Sequence, residues 1–197
     1  ITLEDISYAT SLDMEIKLLG ITEVVDGGIS QRVYPVMIPR NWPLARVEGV
    51  LNAISVESDA LGPLFLEGAG AGEGPTASSV VADIVDIAAG RYSYPLNIPS
   101  DKLDVSHYLG IDAHEGEYYL RLVVEDTPGV LADISSLFGD HDVSIAEMHQ
   151  EQTEEGAPVT IILTTHATIE STFAKVLKKI SALQAVIDPP HIIRIER

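Results

Sequence analysis

The chain has 197 residues, and its 30 acidic and 12 basic side chains leave a formal net charge of −18. This length allows two modest domains, while the acidity argues against a surface that binds nucleic acid or an anionic membrane. The sequence contains no Cys, which excludes disulfides, thiolate nucleophiles and Cys-based metal sites. Because no apolar run reaches the roughly 18 residues of a membrane-spanning helix, we expect a globular, cytoplasmic protein. The chain starts at Ile1 without a charged-then-apolar leader, so we also expect it to be the C-terminal part of a longer protein.

The first ninety residues predict a short helix, two β-hairpins and a longer helix. Thr2-Leu-Glu-Asp5 has the form of a capping box, in which the Thr and Asp side chains close the helix start. Asp26-Gly27-Gly28 favours a tight turn between the strands of the first hairpin. We predict strands over 14–25, 29–38, 51–57 and 61–67 and a helix over 75–89.

The last eighty residues predict a strand, a helix, two strands, a helix and a strand. Leu120, Leu122 and Val124 alternate along the first strand, and an Asp-Thr-Pro-Gly corner then leads into a helix. Thr127 is predicted to cap this helix, with Pro128 at its first position. A four-stranded antiparallel sheet with both helices on one face would bury the apolar stripes together.

These patterns predict an α+β fold class, with an open β-sheet with helices followed by a ferredoxin-like βαββαβ module. The region between them mixes Tyr, Pro, Gly and charged residues without a sustained period, as connecting segments do. We therefore predict an N-terminal domain over 1–95, a linker over 96–116 and the βαββαβ domain over 117–197.

A glycine-rich loop, Gly68-Ala-Gly-Ala-Gly-Glu-Gly-Pro-Thr76, lies between a predicted strand and a predicted helix. Backbone N–H groups at such a place can contact an anion or the edge of a cofactor. The loop lacks the Gly-Lys-Ser/Thr ending of a phosphate-binding P-loop, and it does not satisfy the G-x-G-x-x-G dinucleotide fingerprint. Its residues alone leave two interpretations open, a cofactor contact and a tight structural turn.

Two resemblances narrow these interpretations. The βαββαβ order with its Asp126-Thr-Pro-Gly-Val130 corner resembles the ACT domain, a small amino-acid-binding regulatory module. The glycine loop followed by Pro75-Thr-Ala-Ser-Ser-Val-Val-Ala-Asp83 resembles the corresponding loop and helix of homoserine dehydrogenases. Ile1-Thr-Leu-Glu-Asp-Ile-Ser-Tyr-Ala9 and Ile16-Lys-Leu-Leu-Gly20 resemble the segment that enters the substrate-domain sheet of that family.

The second resemblance implies an oxidoreductase that interconverts aspartate semialdehyde and homoserine with NADP or NAD, on the route to threonine, methionine and isoleucine. Residues 1–95 would then be part of the substrate and dimerisation domain, and the cofactor would be bound mainly by a separate N-terminal domain. The residues implied to contact the cofactor near its nicotinamide end are Gly68, Gly70, Ala71 and Gly72, with Thr76 at the helix start.

In the ACT family, the loop after the first strand meets the first strand of a neighbouring module, and the effector lies between them. The resemblance implies an amino-acid effector, threonine by pathway logic, and a homo-oligomer, either a dimer or a tetramer. Ser144 replaces the Asn that the family often has before the second strand, and a purely structural corner remains the alternative. The implied effector-binding residues are Asp126, Pro128, Gly129, Val130, Leu131, Ser144 and Ile145.

The sequence supplies neither a dinucleotide fingerprint nor an evident proton donor. The sole Lys in the first hundred residues, Lys17, alternates with apolar neighbours and is interpreted as part of a solvated strand face. We therefore assign no catalytic residue and no metal site, and we expect the chain to be inactive alone. The alternative is a non-enzymatic amino-acid-binding regulatory protein, which would change its association state without chemistry.

Overall fold

The computed structural model describes residues 1–91, 93–94, 97–150 and 157–197. They form two compact units, one of residues 1–39 and 107–197, which we call the sheet unit, and one of residues 40–106, the ribbon unit. In chain order the elements are α1 (Leu3–Ser11), β1 (Met14–Val25), β2 (Gly28–Pro39), β3 (Leu51–Ser58), β4 (Gly62–Ala69), α2 (Glu73–Ala88), β5 (Tyr108–Leu109), β6 (Glu115–Val124), α3 (Val130–Gly139), β7 (Ile145–Gln150), β8 (Val159–Thr165), β9 (Thr168–Ile169), α4 (Glu170–Ile180) and β10 (His191–Ile195).

The sheet unit is built on one sheet with the strand order β1-β2-β10-β6-β8-β7. Strands β10, β6, β8 and β7 pair antiparallel, and the chain between them supplies α3 and α4. This confirms the predicted α+β class and the ferredoxin-like βαββαβ module. The sequence Glu154-Glu-Gly156 also predicts the turn between β7 and β8, and these residues lie outside the described ones.

The first hairpin extends this sheet, which the sequence did not predict. Strand β2 pairs in parallel with β10 through Val36 with Arg194 and Met37 with Ile195. The backbone N–H of Glu196 donates to the carbonyl of Met37 at 3.0 Å. The compact units therefore divide the chain differently from the domains predicted over 1–95, 96–116 and 117–197, because pairing to β10 brings residues 1–39 into the sheet unit.

A side-chain network also connects β2 with β10 and the residue that follows it. The guanidinium of Arg32 on β2 donates to Glu23 at 2.6 Å and to Glu196 at 3.1 Å. Arg194 lies over the ring of Tyr34, with 4.5 Å between the guanidinium carbon and the ring centre. Because Arg32 is almost fully buried, these carboxylates are needed to compensate its charge.

The main core lies between the sheet and the two helices α3 and α4. Alternate residues of β6 point into it, as the alternation of Leu120, Leu122 and Val124 predicts. Phe173 of α4 stacks on Tyr118 with 4.0 Å between ring centres. The fully buried side chains of this core include Tyr118, Leu120, Leu122, Ile134, Phe138, Leu163, Phe173, Val176 and Ile180.

Helix α1 covers the opposite face of the sheet. Its Ala9 packs with Tyr119 of β6, and a second buried cluster forms there with Met14, Met37, Ile162, Ile193 and Ile195. The predicted capping box is confirmed: the Thr2 N–H donates to the Asp5 carboxylate at 2.7 Å, and the Asp5 N–H donates to the Thr2 hydroxyl. Strand β6 is thus buried on both of its faces.

The ribbon unit consists of the β3–β4 hairpin and α2, and little of its apolar surface is covered. No residue of α2 is buried, and Val80, Val81, Ile84 and Val85, which recur at helical spacing, are exposed. On the hairpin, Ile54 pairs with Leu66 and Val56 with Leu64, and these side chains are exposed as well. Contiguous exposed apolar surface of this kind is typical of an interface. Among the described residues, no helix combines the length and the apolar character needed to cross a membrane.

Candidate effector site and glycine loop

The corner after β6 leads into α3 by a different route from the one predicted. Helix α3 begins at Val130, and its N-cap is Gly129, whose φ of 100° lies in the left-handed region. No side chain caps the helix, so the prediction that Thr127 is the cap and Pro128 the first helical residue is wrong. The reason is that the left-handed turn at Gly129 starts the helix two residues later. The first N–H groups of α3 therefore lack a side-chain partner.

The corner encloses a cavity of about 200 Å³. Asp126, an exposed carboxylate, lies on its rim, and the carboxamide residue Gln150 at the end of β7 lines it from across the sheet. The sequence analysis did not identify Gln150, because its position opposite Ile161 depends on the β7–β8 register. The predicted effector residues that share this cavity are Asp126, Pro128, Gly129, Val130 and Leu131.

The corner is held from behind by the segment that follows α4. The Glu125 N–H donates to the carbonyl of Ala185 at 2.9 Å, and the Ile187 N–H donates to Val123 at the same distance. These bonds fix the end of β6 and thereby anchor the start of the corner.

Ser144 and Ile145 do not reach this cavity within one chain. Ile145 pairs with Thr165, whereas Gln150 pairs with Ile161, so the two ends of β7 lie roughly 17 Å apart at 3.4 Å per residue. The Ser144 carbonyl instead accepts the N–H of His166 at 2.9 Å. The structure therefore brings the corner residues together and leaves Ser144 and Ile145 at the far end of the sheet.

The glycine loop joins β4 to α2 in the ribbon unit. A Cβ on Gly70 would lie 2.1 Å from the side-chain nitrogen of Asn52, so only glycine fits beside this Asn in its present rotamer. Gly72 is the N-cap of α2 with φ of 121°, and the Thr76 N–H donates to the Gly72 carbonyl at 3.0 Å. Gly68 pairs with Asn52 across the hairpin, and Ala71 is exposed. The loop therefore presents backbone groups without side chains.

The charges around this loop restrict which ligand groups can bind there. No basic side chain occurs in the loop, and Glu73 occupies the first turn of α2. A phosphate at this helix start would face that carboxylate, whereas a neutral carboxamide can bond to backbone groups without a charge conflict. The loop is therefore suited to an uncharged polar group and is unsuited to a phosphate.

A buried ion pair lies under α1. The Asp5 carboxylate accepts from Arg121 Nε at 2.7 Å and from the Tyr119 hydroxyl at 3.2 Å. Only 1% of Asp5 and 6% of Arg121 is exposed. The sequence analysis identified Asp5 only as a helix cap and did not identify Arg121, which follows the inward-pointing Leu120 and would face solvent if α1 were elsewhere.

This ion pair sets the pKa of Asp5. Burial alone would raise the pKa, but hydrogen bonds from Arg121 and Thr2 and the positive charge of Arg121 outweigh burial and lower it to about 2. The usual value is 3.8, so the folded state holds the ionised form more tightly than the unfolded state does.

We expect this difference to appear as acid sensitivity. Since the folded pKa lies below the unfolded one, the stabilisation of about 2 kcal/mol is complete above pH 4 and is lost as the pH falls through about 2. Urea unfolding between pH 5 and pH 2 should therefore show a steeper loss of stability for the native chain than for Asp5→Asn. If the stability of the two proteins fell equally steeply with pH, the lowered pKa of Asp5 would be contradicted.

The fold and the cavity at the corner define an α+β protein with an ACT-type module. Residues 118–185 match the family model of the ACT domain, and residues 1–85 match that of homoserine dehydrogenase. The chain thus combines a segment that matches the homoserine dehydrogenase model with a segment that matches the ACT model.

Homoserine dehydrogenases of several organisms are similar to the chain over its whole length. Homoserine dehydrogenase of Pseudomonas aeruginosa is 39% identical over 204 residues, which cover 100% of this chain and 47% of that protein. The Neisseria gonorrhoeae enzyme is 39% identical over 98% of this chain and 46% of its own length. The crystal structure of homoserine dehydrogenase from Thiobacillus denitrificans superimposes with a TM-score of 0.86 at 41% identity, covering 100% of this chain and 46% of that one. The chain spans about half the length of the curated relatives it matches.

Proposed function

We propose that this chain is the C-terminal, regulated portion of a cytoplasmic homoserine dehydrogenase, which interconverts L-aspartate 4-semialdehyde and L-homoserine with NAD(P)H. The observation that carries the proposal is the similarity to homoserine dehydrogenases along the entire chain, at 39% identity to the Pseudomonas aeruginosa enzyme. The match of residues 1–85 to the dehydrogenase model favours this function over a stand-alone amino-acid sensor. The reaction itself belongs to the whole protein, and the 197 residues alone are inactive.

The glycine loop contributes to cofactor binding in this proposal. The bound nicotinamide ring accepts or supplies the hydride. The backbone of Gly68, Gly70, Ala71 and Gly72 would lie against the carboxamide side of that ring, and Thr76 would continue the helix start behind it. This role is supported by the absence of side chains in the loop and by Glu73, which disfavours a phosphate there.

The ACT module would bind an amino-acid effector at the corner, and threonine is our first candidate. The Asp126 carboxylate can pair with an ammonium group, and the uncapped N–H groups of α3 can bind a carboxylate. The Gln150 carboxamide can bond to either the backbone groups or a side-chain hydroxyl of the effector. A cavity of about 200 Å³ suits a small amino acid and is too small for a nucleotide.

Titration calorimetry of the chain with threonine tests this site. We expect saturable binding that weakens about tenfold to a hundredfold in Asp126→Ala, since the change removes a charged partner of the ammonium group. Asp133→Ala is the matched control: Asp133 lies in the first turn of α3 but does not line the cavity. Absence of heat with threonine, isoleucine, methionine and homoserine, or equal losses in the two variants, would remove the effector role.

A second copy of the chain could complete the effector site. Strand β7 ends the sheet, so one of its sides is without a neighbouring strand among the described residues. If two β7 strands pair antiparallel about Met148, Glu147 of each copy lies opposite His149 of the other. The same pairing carries Ser144 and Ile145 of one copy towards Gln150 and the corner of the other. We infer a homo-oligomer built on this pairing.

A cysteine at the centre of this pairing should form a disulfide between copies. The natural chain has no Cys, so Met148→Cys introduces a single thiol. Facing residues of antiparallel strands have Cα atoms about 4.5–5.5 Å apart, which suits a disulfide. Ala146→Cys is the control, since its two copies would lie four residues out of register. Non-reducing electrophoresis should show a cross-linked dimer for Met148→Cys alone, and equal cross-linking of both variants would exclude this register.

A further inference from the structure

We propose that the buried Asp5–Arg121 ion pair transmits the state of the effector corner to helix α1, which lies in the segment matched to the dehydrogenase family. The identity of the effector rests on the proposed function, whereas the link itself rests on the contacts described below. The residues act by positioning α1, and neither contacts substrate or cofactor.

Arg121 is anchored to the start of α1. In addition to Asp5, the guanidinium contacts the Thr2 hydroxyl at 3.2 Å and the Glu4 carboxylate at 3.2 Å. The first turn of the helix is thus held by one side chain of the sheet. A guanidinium that bonds in fixed directions constrains the orientation of its partners more than apolar packing does.

On β6, Arg121 lies close to the corner. This strand ends at Val124, and the corner begins at the next residue. Pairing with β8 on one side and β10 on the other makes β6 a stiff central strand, in which Arg121 lies opposite Ile162 and His191. The corner and Arg121 are therefore joined by a rigid strand, with no flexible connection between them.

Helix α1 makes a second contact near the same cavity. The ring of Tyr8 lies 5.8 Å from that of His149, centre to centre. His149 directly precedes Gln150, which lines the corner cavity. Helix α1 thus contacts two of the strands that border the cavity, β6 through Arg121 and β7 through His149.

Stability alone does not account for the pair. Well-packed apolar residues usually stabilise a buried position as much as an ion pair does or more, because the charges lose hydration. What an ion pair adds is a directional connection between two elements. A link of this kind can bias α1 between two orientations as the corner changes.

Amide hydrogen exchange in α1 tests the link on the full chain. Gly129→Ala perturbs the corner without a ligand, because an L-residue is strained at a φ of 100°. We expect this change to alter α1 exchange by about fivefold or more, and Asp5→Asn/Arg121→Met to abolish the response. In the double variant, the amide oxygen that replaces the Asp5 carboxylate can still accept hydrogen bonds from the Thr2 N–H and the Tyr119 hydroxyl. Arg197→Met, which removes the exposed pair with Glu117, is the matched control and should leave the response intact.

The outcomes separate the link from the effector assignment. No α1 response to Gly129→Ala, or an equal response in the double variant, overturns the link. If the double variant does not fold, Arg121→Lys retains the charge without the Nε bond, and an undiminished response in it overturns the link. Threonine, if it binds, should slow α1 exchange in the native chain and not in the double variant. A chain that fails to bind threonine but still responds to Gly129→Ala would remove the proposed effector and keep the link.

Discussion

Arg121→Met is expected to lower the free energy of unfolding by about 3–5 kcal/mol. The substitution leaves the Asp5 carboxylate buried under α1 without its guanidinium partner, and the neutral donors, the Tyr119 hydroxyl and the hydroxyl and backbone N–H of Thr2, are left to stabilise the charge. Its cost is therefore far greater than the net contribution of the intact pair, because most of the loss is the desolvation of an unpaired charge. Urea unfolding at neutral pH, followed by far-ultraviolet circular dichroism, measures the effect.

Two companion variants show whether the buried charge is the cause. Asp5→Asn in the Arg121→Met background removes the carboxylate charge and should recover a large part of the lost stability. Arg197→Met removes a surface ion pair of the same sheet unit and should change the free energy by about 0.5 kcal/mol or less. A loss in Arg121→Met no larger than in Arg197→Met would contradict the burial of the pair.

Phe173→Ala is expected to cost a similar amount, about 3–5 kcal/mol, for a different reason. Phe173 is 1% exposed and stacks on Tyr118 at the centre of the core between the sheet and α4. Truncation removes the buried ring and leaves a cavity between elements that are too firmly paired to collapse into it. The expected result is a lower urea midpoint with an unchanged slope.

A matched truncation separates this core effect from the general loss of apolar surface. Ile192→Ala removes an apolar side chain from β10, but Ile192 is 40% exposed. We expect Ile192→Ala to cost clearly less than Phe173→Ala, since its site is already open to water. Equal losses in the two variants would indicate that α4 does not pack on the sheet as described.

Local periodicity was sufficient to predict much of this chain. Alternating residues on β6, the stripe of α4 and the turn residues at Asp26-Gly27-Gly28 each depend on neighbours within a few positions of the sequence. For this reason the βαββαβ module, the first hairpin and the capping box were correctly predicted. The corner with Asp126 was located by the same local signal, although the N-cap of the helix is Gly129 and not Thr127.

Other features depend on residues far apart in the chain, and only the tertiary structure decided them. Two residue pairs between β2 and β10 join the first hairpin to the sheet of β10, β6, β8 and β7, and nothing in the local pattern of either strand specifies that partner. Gln150 lines the corner cavity because of the register of β7 on β8. Asp5 and Arg121, 116 positions apart, became a buried pair because α1 covers the second face of β6. The sequence determined which segments are helices, strands and turns, since those depend on local backbone preferences and on the spacing of apolar residues. The fold decided which charged side chains are removed from water and which residues meet at the corner, since burial and strand register arise only when distant segments pack together.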